Sequence, residues 1–193
     1  MNLIDRAKKI MLSPKEEWAV IETESTDVAT LVTGYLIPLA LIAAVASFIG
    51  YGLIGVGGFG YKIVSISLGI RYGVISLVTT IAGAFIAALV INALSASFAS
   101  RNDFRKALQL VVYSFTPMMV AGILYILPGL RMLPPLAGIY GLYLLYIGMK
   151  PLMQTPEDKV TSYFIVSLLV MIGVYIILGA ILTAVFIGHR LMM

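Results

Sequence analysis

Cysteine is absent from this 193-residue chain, and histidine occurs once, as His189. The first absence excludes disulfides, thiol nucleophiles, cysteine-ligated zinc and iron–sulfur clusters together. The second leaves a metal site or a Ser–His–Asp triad a single imidazole to build on. Charge is scarce too: Asp, Glu, Lys and Arg make up 11% of residues, where a soluble domain carries about 25%. Hydrophobic residues reach 61% and mean hydropathy +1.03, more than a soluble core of this size can bury. The chain reads as an integral membrane protein. Lys and Arg outnumber Asp and Glu by 13 to 9, but they are scattered between apolar runs. That is a mark of membrane topology, and it argues against a nucleic-acid partner. No cofactor is expected.

Long charge-free runs fill the rest, at 28–61, 63–70, 72–100, 107–130, 132–149 and 160–189. A spanning helix needs about 20 apolar residues. The runs predict an all-α polytopic protein with spans near 31–52, 75–97, 108–127, 133–149 and 163–186. These form a five-helix transmembrane bundle over 31–193, behind a cytoplasmic interfacial segment at 1–30. Pro134 and Pro135 open the fourth span, where proline is tolerated. Pro128-Gly129 marks the turn before it. The glycine-dense stretch from Gly50 to Gly60 ends the first span, so 53–72 is expected to be a loop with a short interfacial helix at 61–70. No period-2 pattern recurs, so a barrel is not expected. Nine of the 13 basic residues fall on one side of this topology, which predicts the N-terminus inside and the C-terminus outside. All nine acidic residues fall on the same side. Some 27 polar-rich residues precede the first span, too many for an ordinary signal n-region, so an uncleaved protein is expected.

Residues 2–12 form a basic amphipathic stretch. Leu3, Ala7, Ile10 and Met11 share a face, with Arg6, Lys8 and Lys9 largely off it. Such a helix lies along anionic headgroups. Ser13-Pro14-Lys15-Glu16 has the form of a capping box. Trp18, the only tryptophan, is expected in the membrane interface. Thr26 or Asp27 would cap the first span.

Other residues carry the candidate sites. Gly55-Val-Gly57-Gly-Phe-Gly60 fits a dinucleotide fingerprint, but it follows a span and lacks the acid about 20 residues on, so it reads as a loop. Thr79, Asn92, Tyr113 and Thr116 are intramembrane polar residues; Asn92 is expected to hydrogen-bond another helix. Gly83/Ala87 and Ala84/Ala88 let helices approach closely, within the monomer or in a homo-oligomer. Pro38 and Pro117 are mid-span kinks, each freeing a carbonyl near four residues upstream that Thr116 or Tyr113 could satisfy. Arg101, Arg105 and Lys106 stand in the inside loop between the second and third spans. With Trp18 they are the candidate contact residues for a membrane-protein partner or lipid headgroups. No span carries Asp, Glu, Lys or Arg near its centre, which argues against an enzyme, a proton pump or an ion-coupled transporter.

Taken in order, Ser13-Pro-Lys-Glu-Glu-Trp18, Tyr35-Leu-Ile-Pro38, Tyr113-Ser-Phe-Thr-Pro117 and Leu142-Tyr-Leu-Leu-Tyr-Ile-Gly148 resemble bacterial members of the Yip (Ypt/Rab-interacting protein) membrane family. The resemblance implies the five-span fold and a cytoplasmic (inner) membrane location. In eukaryotes it implies membrane proteins that bind small prenylated GTPases. The Asp-Leu-Tyr-Gly-Pro motif of those members is missing here, so fold and topology carry over and the traffic role does not. The function expected is a non-enzymatic membrane scaffold or adaptor acting through helix packing and its charged inner face. The alternative is a passive channel or facilitator for a small neutral or lipidic molecule.

Overall fold

The computed structural model describes residues 2–58 and 61–191. Two short helices come first, α1 (Leu3–Leu12) and α2 (Pro14–Thr23). The long helical segments α3 (Val28–Ile54), α4 (Ile66–Phe98), α5 (Phe104–Ile126) and α6 (Leu133–Met153) follow, each long and apolar enough to cross a membrane. The last helix is α7 (Val160–Leu191). A small antiparallel hairpin, β1 (Val56–Gly58) and β2 (Tyr61–Ile63), joins α3 to α4, with Val56 opposite Ile63. The expected fifth span at 163–186 falls inside α7, whose described apolar stretch is Val160–Val174.

Several boundaries differ from the sequence reading. Asp27 accepts a hydrogen bond from Ala29 N at 3.0 Å, so α3 starts at its cap and not at 31. Ser65 caps α4, which begins nine residues before the expected 75 and includes Arg71. Thirty-three residues span about 50 Å, well over the roughly 30 Å hydrocarbon core, so Arg71 can lie in the overhang. The expected helix at 61–70 is therefore a strand followed by the first turn of α4. α6 runs to Met153, with Lys150 in its last turn, and Gln154 stops it in the left-handed region at φ 50°. Ser13 makes no side-chain cap bond; its N–H donates back to Lys9 O at 2.8 Å, closing α1.

α3 and α4 pack through glycine. A Cβ on Gly69 would lie 2.6 Å from Gly52 Cα, and one on Gly73 3.0 Å from Ala44 O. Gly83, Ala84, Ala87 and Ala88 are all buried within the chain, so these small residues serve its own packing. Both prolines sit beside irregular turns. Val32–Leu36 is π-helical, with Ile37 N bonded to Val32 O, and Pro38 follows at once. α5 breaks at Phe115 and restarts at Thr116-Pro117. At one end of the bundle, Arg101 N donates to Met153 O at 2.6 Å and Ser100 Oγ to Thr155 Oγ1 at 2.9 Å, tying the α4–α5 and α6–α7 turns together.

Candidate functional site

The N-terminal helices do not lie apart from the bundle. On α1, Arg6, Ala7 and Ile10 are buried; on α2, Glu17, Trp18 and Ile21 are buried. Both sets follow helical spacing, so each helix has one buried face carrying one charge. The two faces meet inside the molecule. Arg6 Nη1 donates to Glu17 Oε1 at 2.5 Å and Nη2 to Glu24 Oε1. The Arg6 side chain is 1% exposed and that of Glu17 5%. The guanidinium carbon lies 5.5 Å from the centre of the Tyr113 ring. A charge this deep is tolerable only when paired, and here one fork serves two carboxylates.

Lys106 finishes the attachment. Its ammonium donates to the carbonyls of Ile21, Glu22 and Glu24 at 3.1, 2.9 and 2.7 Å. These carbonyls lie at the end of α2, where that of Ile21 also accepts from Glu24 N at 3.2 Å, so Lys106 serves as its C-cap. Trp18 inserts over Gly148, where an added Cβ would come 2.7 Å from the indole. It meets Tyr113 edge-on at 6.3 Å. Tyr140 Oη donates to Met11 O at 2.8 Å and fixes the α1–α2 turn.

Two of the four expected contact residues are thus corrected. Trp18 is 1% exposed and Lys106 7%, because packing and backbone carbonyls consume them; neither can face a partner. Arg6, expected off the apolar face, is buried on it. Tyr140, Tyr143 and Tyr146 form an exposed row along the middle of α6. Arg101 and Arg105 stay exposed at the α4–α5 turn, with Asp103 between them at 3.3 and 3.6 Å.

The expected polar cluster divides into separate places. Thr116 Oγ1 and Tyr35 Oη share a buried hydrogen bond of 2.8 Å, and Tyr113 packs edge-on against Tyr35 at 4.8 Å. Thr116 is therefore spent between helices and not on the carbonyl freed by Pro117. Thr79 is exposed and donates to Ile75 O of its own helix at 2.6 Å. Asn92 Oδ1 is buried and has no partner among the described residues, so the expected interhelical bond is not made there. Nearby, α4 tightens to a 3-10 turn at Ser95, and Tyr163 Oη takes the carbonyl of Ile91.

Two cavities flank the Tyr35–Thr116 bond along α3 and α5. One, of about 450 Å³, is bounded by Arg6, Glu24, Asp27, Gly34, Tyr35 and Tyr113. The other, of about 330 Å³, holds Ser47, Tyr51, Tyr72, Thr79, Met119 and Tyr125. Leu36, Leu39, Ala40 and Thr116 are buried between them. Among the described residues, no group of His, Cys, Asp and Glu could hold a metal ion. The glycine fingerprint forms no helix-opening phosphate loop: Gly55 ends α3 at φ +86° and Gly57 lies in β1, while Phe59 and Gly60 fall outside the described residues. Gln109 lies elsewhere, beside Lys106 and the end of α2, 1% exposed and with both amide ends unpartnered among the described residues.

Among known proteins, the family model described as the Yip1 domain matches residues 8–181 of this chain. No curated protein and no solved structure matches it.

Proposed function

We propose, from the premise that the chain belongs to the Yip1 domain family, that it is a non-enzymatic membrane scaffold or adaptor. The observation behind this reading is the distribution of charge. Inside the bundle, Arg6, Glu17 and Lys106 are committed to pairs or to backbone. At the inner end, Arg101, Arg105, Glu157 and Asp158 stand exposed, and Lys8, Lys9 and Lys15 are exposed on the hairpin. The ionisable groups hold the N-terminal helices in place, and a rigid charged surface remains for a protein partner and anionic lipids. We place five spans in the bacterial inner membrane, N-terminus inside and C-terminus outside, counting α7 as the fifth; homo-oligomers are compatible with this arrangement. The chain has no native cysteine, so Arg101→Cys and Gly129→Cys test the orientation directly. An impermeant maleimide should label the second from outside and the first only after the membrane is opened; the reverse pattern overturns the topology.

The adaptor reading is tested by Arg101→Glu with Arg105→Glu. Both side chains are exposed. Proteins that co-purify specifically should be lost while Trp18 emission stays unchanged. Unchanged recovery with intact protein sinks the reading.

A second reading, a passive facilitator for a small neutral or lipidic molecule, is favoured by the two cavities separated at Tyr35 and Thr116. Its route would pass Thr79, Thr116 and Tyr113 and leave Asn92 aside. Under it, Tyr35→Ala with Thr116→Ala should raise glycerol flux in proteoliposomes; unchanged flux counts against it.

A further inference from the structure

The smaller cavity, of about 330 Å³, is walled by hydroxyls and has no charged side chain in its lining. It lies among the end of α3, the first half of α4 and the end of α5. Ser47 on α3 is 4% exposed, yet its hydroxyl borders this space and makes no hydrogen bond among the described residues. A serine inside a helix can bond back to the carbonyl four residues before it, and Ser47 does not. Thr79 and Thr80 on α4 do so. They donate to Ile75 O at 2.6 Å and to Ser76 O at 2.8 Å. Each has thereby spent its one proton, and its oxygen can only accept from an occupant. Tyr51 and Tyr72 stack with ring centres 4.0 Å apart, and Tyr125 joins them from α5. The hydroxyls of these three tyrosines also lack partners among the described residues. All three helices are long and apolar enough to cross the hydrocarbon, where polar groups left unmatched are costly.

We propose that this cavity binds an uncharged glyceryl group, either as free glycerol or as the head of a monoacylglycerol. A hydroxyl both donates and accepts. Neighbouring hydroxyls of a glyceryl group therefore give protons to Thr79 and Thr80 and take those of Ser47 and the tyrosines. A ketone or quinone carbonyl only accepts, and leaves both threonines unmatched. An ammonium or a phosphate brings a charge into a lining that holds no counter-charge. The proposal rests on the facilitator reading, for which it names the molecule. Binding without flux through proteoliposomes keeps the site and removes only the route.

The test uses the full-length protein in lauryldimethylamine oxide, a detergent without hydroxyl groups, and native mass spectrometry. The probes are monooctanoyl glycerol and ethyl octanoate, esters of one acid with and without free hydroxyls. One net hydrogen bond is worth about fivefold in affinity, so the glyceryl ester should bind at least about fivefold more tightly. Ser47→Ala should weaken the glyceryl ester by about fivefold and leave the ethyl ester unchanged. Ser47→Leu should abolish binding by filling the cavity while Trp18 emission is unchanged. Displacement of the glyceryl ester by excess free glycerol supports the chemistry and assigns a soluble source; binding that glycerol does not displace assigns the lipid. Equal binding of the two esters, equal weakening of both by Ser47→Ala, or full binding by Ser47→Leu overturns the proposal.

Discussion

Replacing Arg6 with alanine removes the one cation that serves both Glu17 and Glu24. The Glu17 carboxylate, 5% exposed, would then be buried without its partner. Removing one member of such a pair costs about 3–5 kcal/mol, mostly the penalty of stranding the other charge. Water reaches Glu24 more easily, at 31% exposure, so most of the loss falls on Glu17. Because the pair joins α1 to α2 above Tyr113, the loss should appear as undocking of the hairpin. A change of 3–5 kcal/mol moves that equilibrium roughly 150- to 5,000-fold. The chain carries its own reporter: Trp18 is the only tryptophan and is 1% exposed. Arg6→Ala should shift its emission to the red and lower the thermal midpoint in detergent. Arg6→Met with Glu17→Met removes both members of the buried pair and should recover most of the loss, since apolar replacements of buried pairs are often neutral. A single Arg6→Ala that costs under about 1 kcal/mol with unchanged emission would refute the reasoning, because the cluster would then have to be solvated.

Further tests address the packing around this cluster. Gly148→Leu pushes into Trp18 and Leu110, which already lie 2.6–2.9 Å from a modest Cβ; it should cost about 1–3 kcal/mol and red-shift Trp18 without touching a charge. Tyr35→Phe and Thr116→Val should show coupling of about 1 kcal/mol in a double-mutant cycle followed by thermal melting; additive losses would mean the 2.8 Å bond contributes nothing. Gly69→Ala meets the backbone of Gly52 and Phe48 and should destabilise by about 1–3 kcal/mol, whereas Gly34→Ala meets nothing within 4 Å and should be neutral or slightly stabilising. The Lys150 ammonium holds the Glu157 carboxyl below its ordinary range. That pair contributes above the unfolded carboxylate pKa and is lost as pH falls through the lowered one. Both side chains are well exposed, so Glu157→Gln should leave the melting temperature unchanged.

Much of the helical layout was legible because it rests on apolar run length, a property of composition over about twenty residues. The turn at Pro128-Gly129, the proline start of α6 and the cap at Asp27 were legible for local reasons. Each depends on one residue's backbone chemistry. The start of α4 was not, because run length measures the hydrocarbon a helix crosses and not the overhang beyond it. Nor was the β1–β2 hairpin, whose strands hold three residues each and cannot show an alternating pattern.

The candidate site was harder to read, and for a different reason. The spans carry no charge near their centres, and the buried ion pair comes from the short helices before them. Its signal lay in the register of the two short helices. Leu3, Arg6, Ala7 and Ile10 share one face of α1; Pro14, Glu17, Trp18 and Ile21 share the corresponding face of α2. Arg6 and Glu17 thus hold equivalent places, three residues into each apolar stripe, with opposite sign. A charge inside an apolar stripe is costly alone, so two of opposite sign at matching positions on adjacent helices point to each other. Reading α1 as a surface helix put Arg6 among the headgroups because arginine was weighed by its type. Weighed by its position, it belongs to the buried face. Trp18 follows from the same register, lying next to Glu17 and three residues before Ile21. Only the third partner is beyond such reading: Lys106 is bound by the end of α2 across 82 to 85 residues of sequence, and no local pattern marks a lysine that caps a helix other than its own.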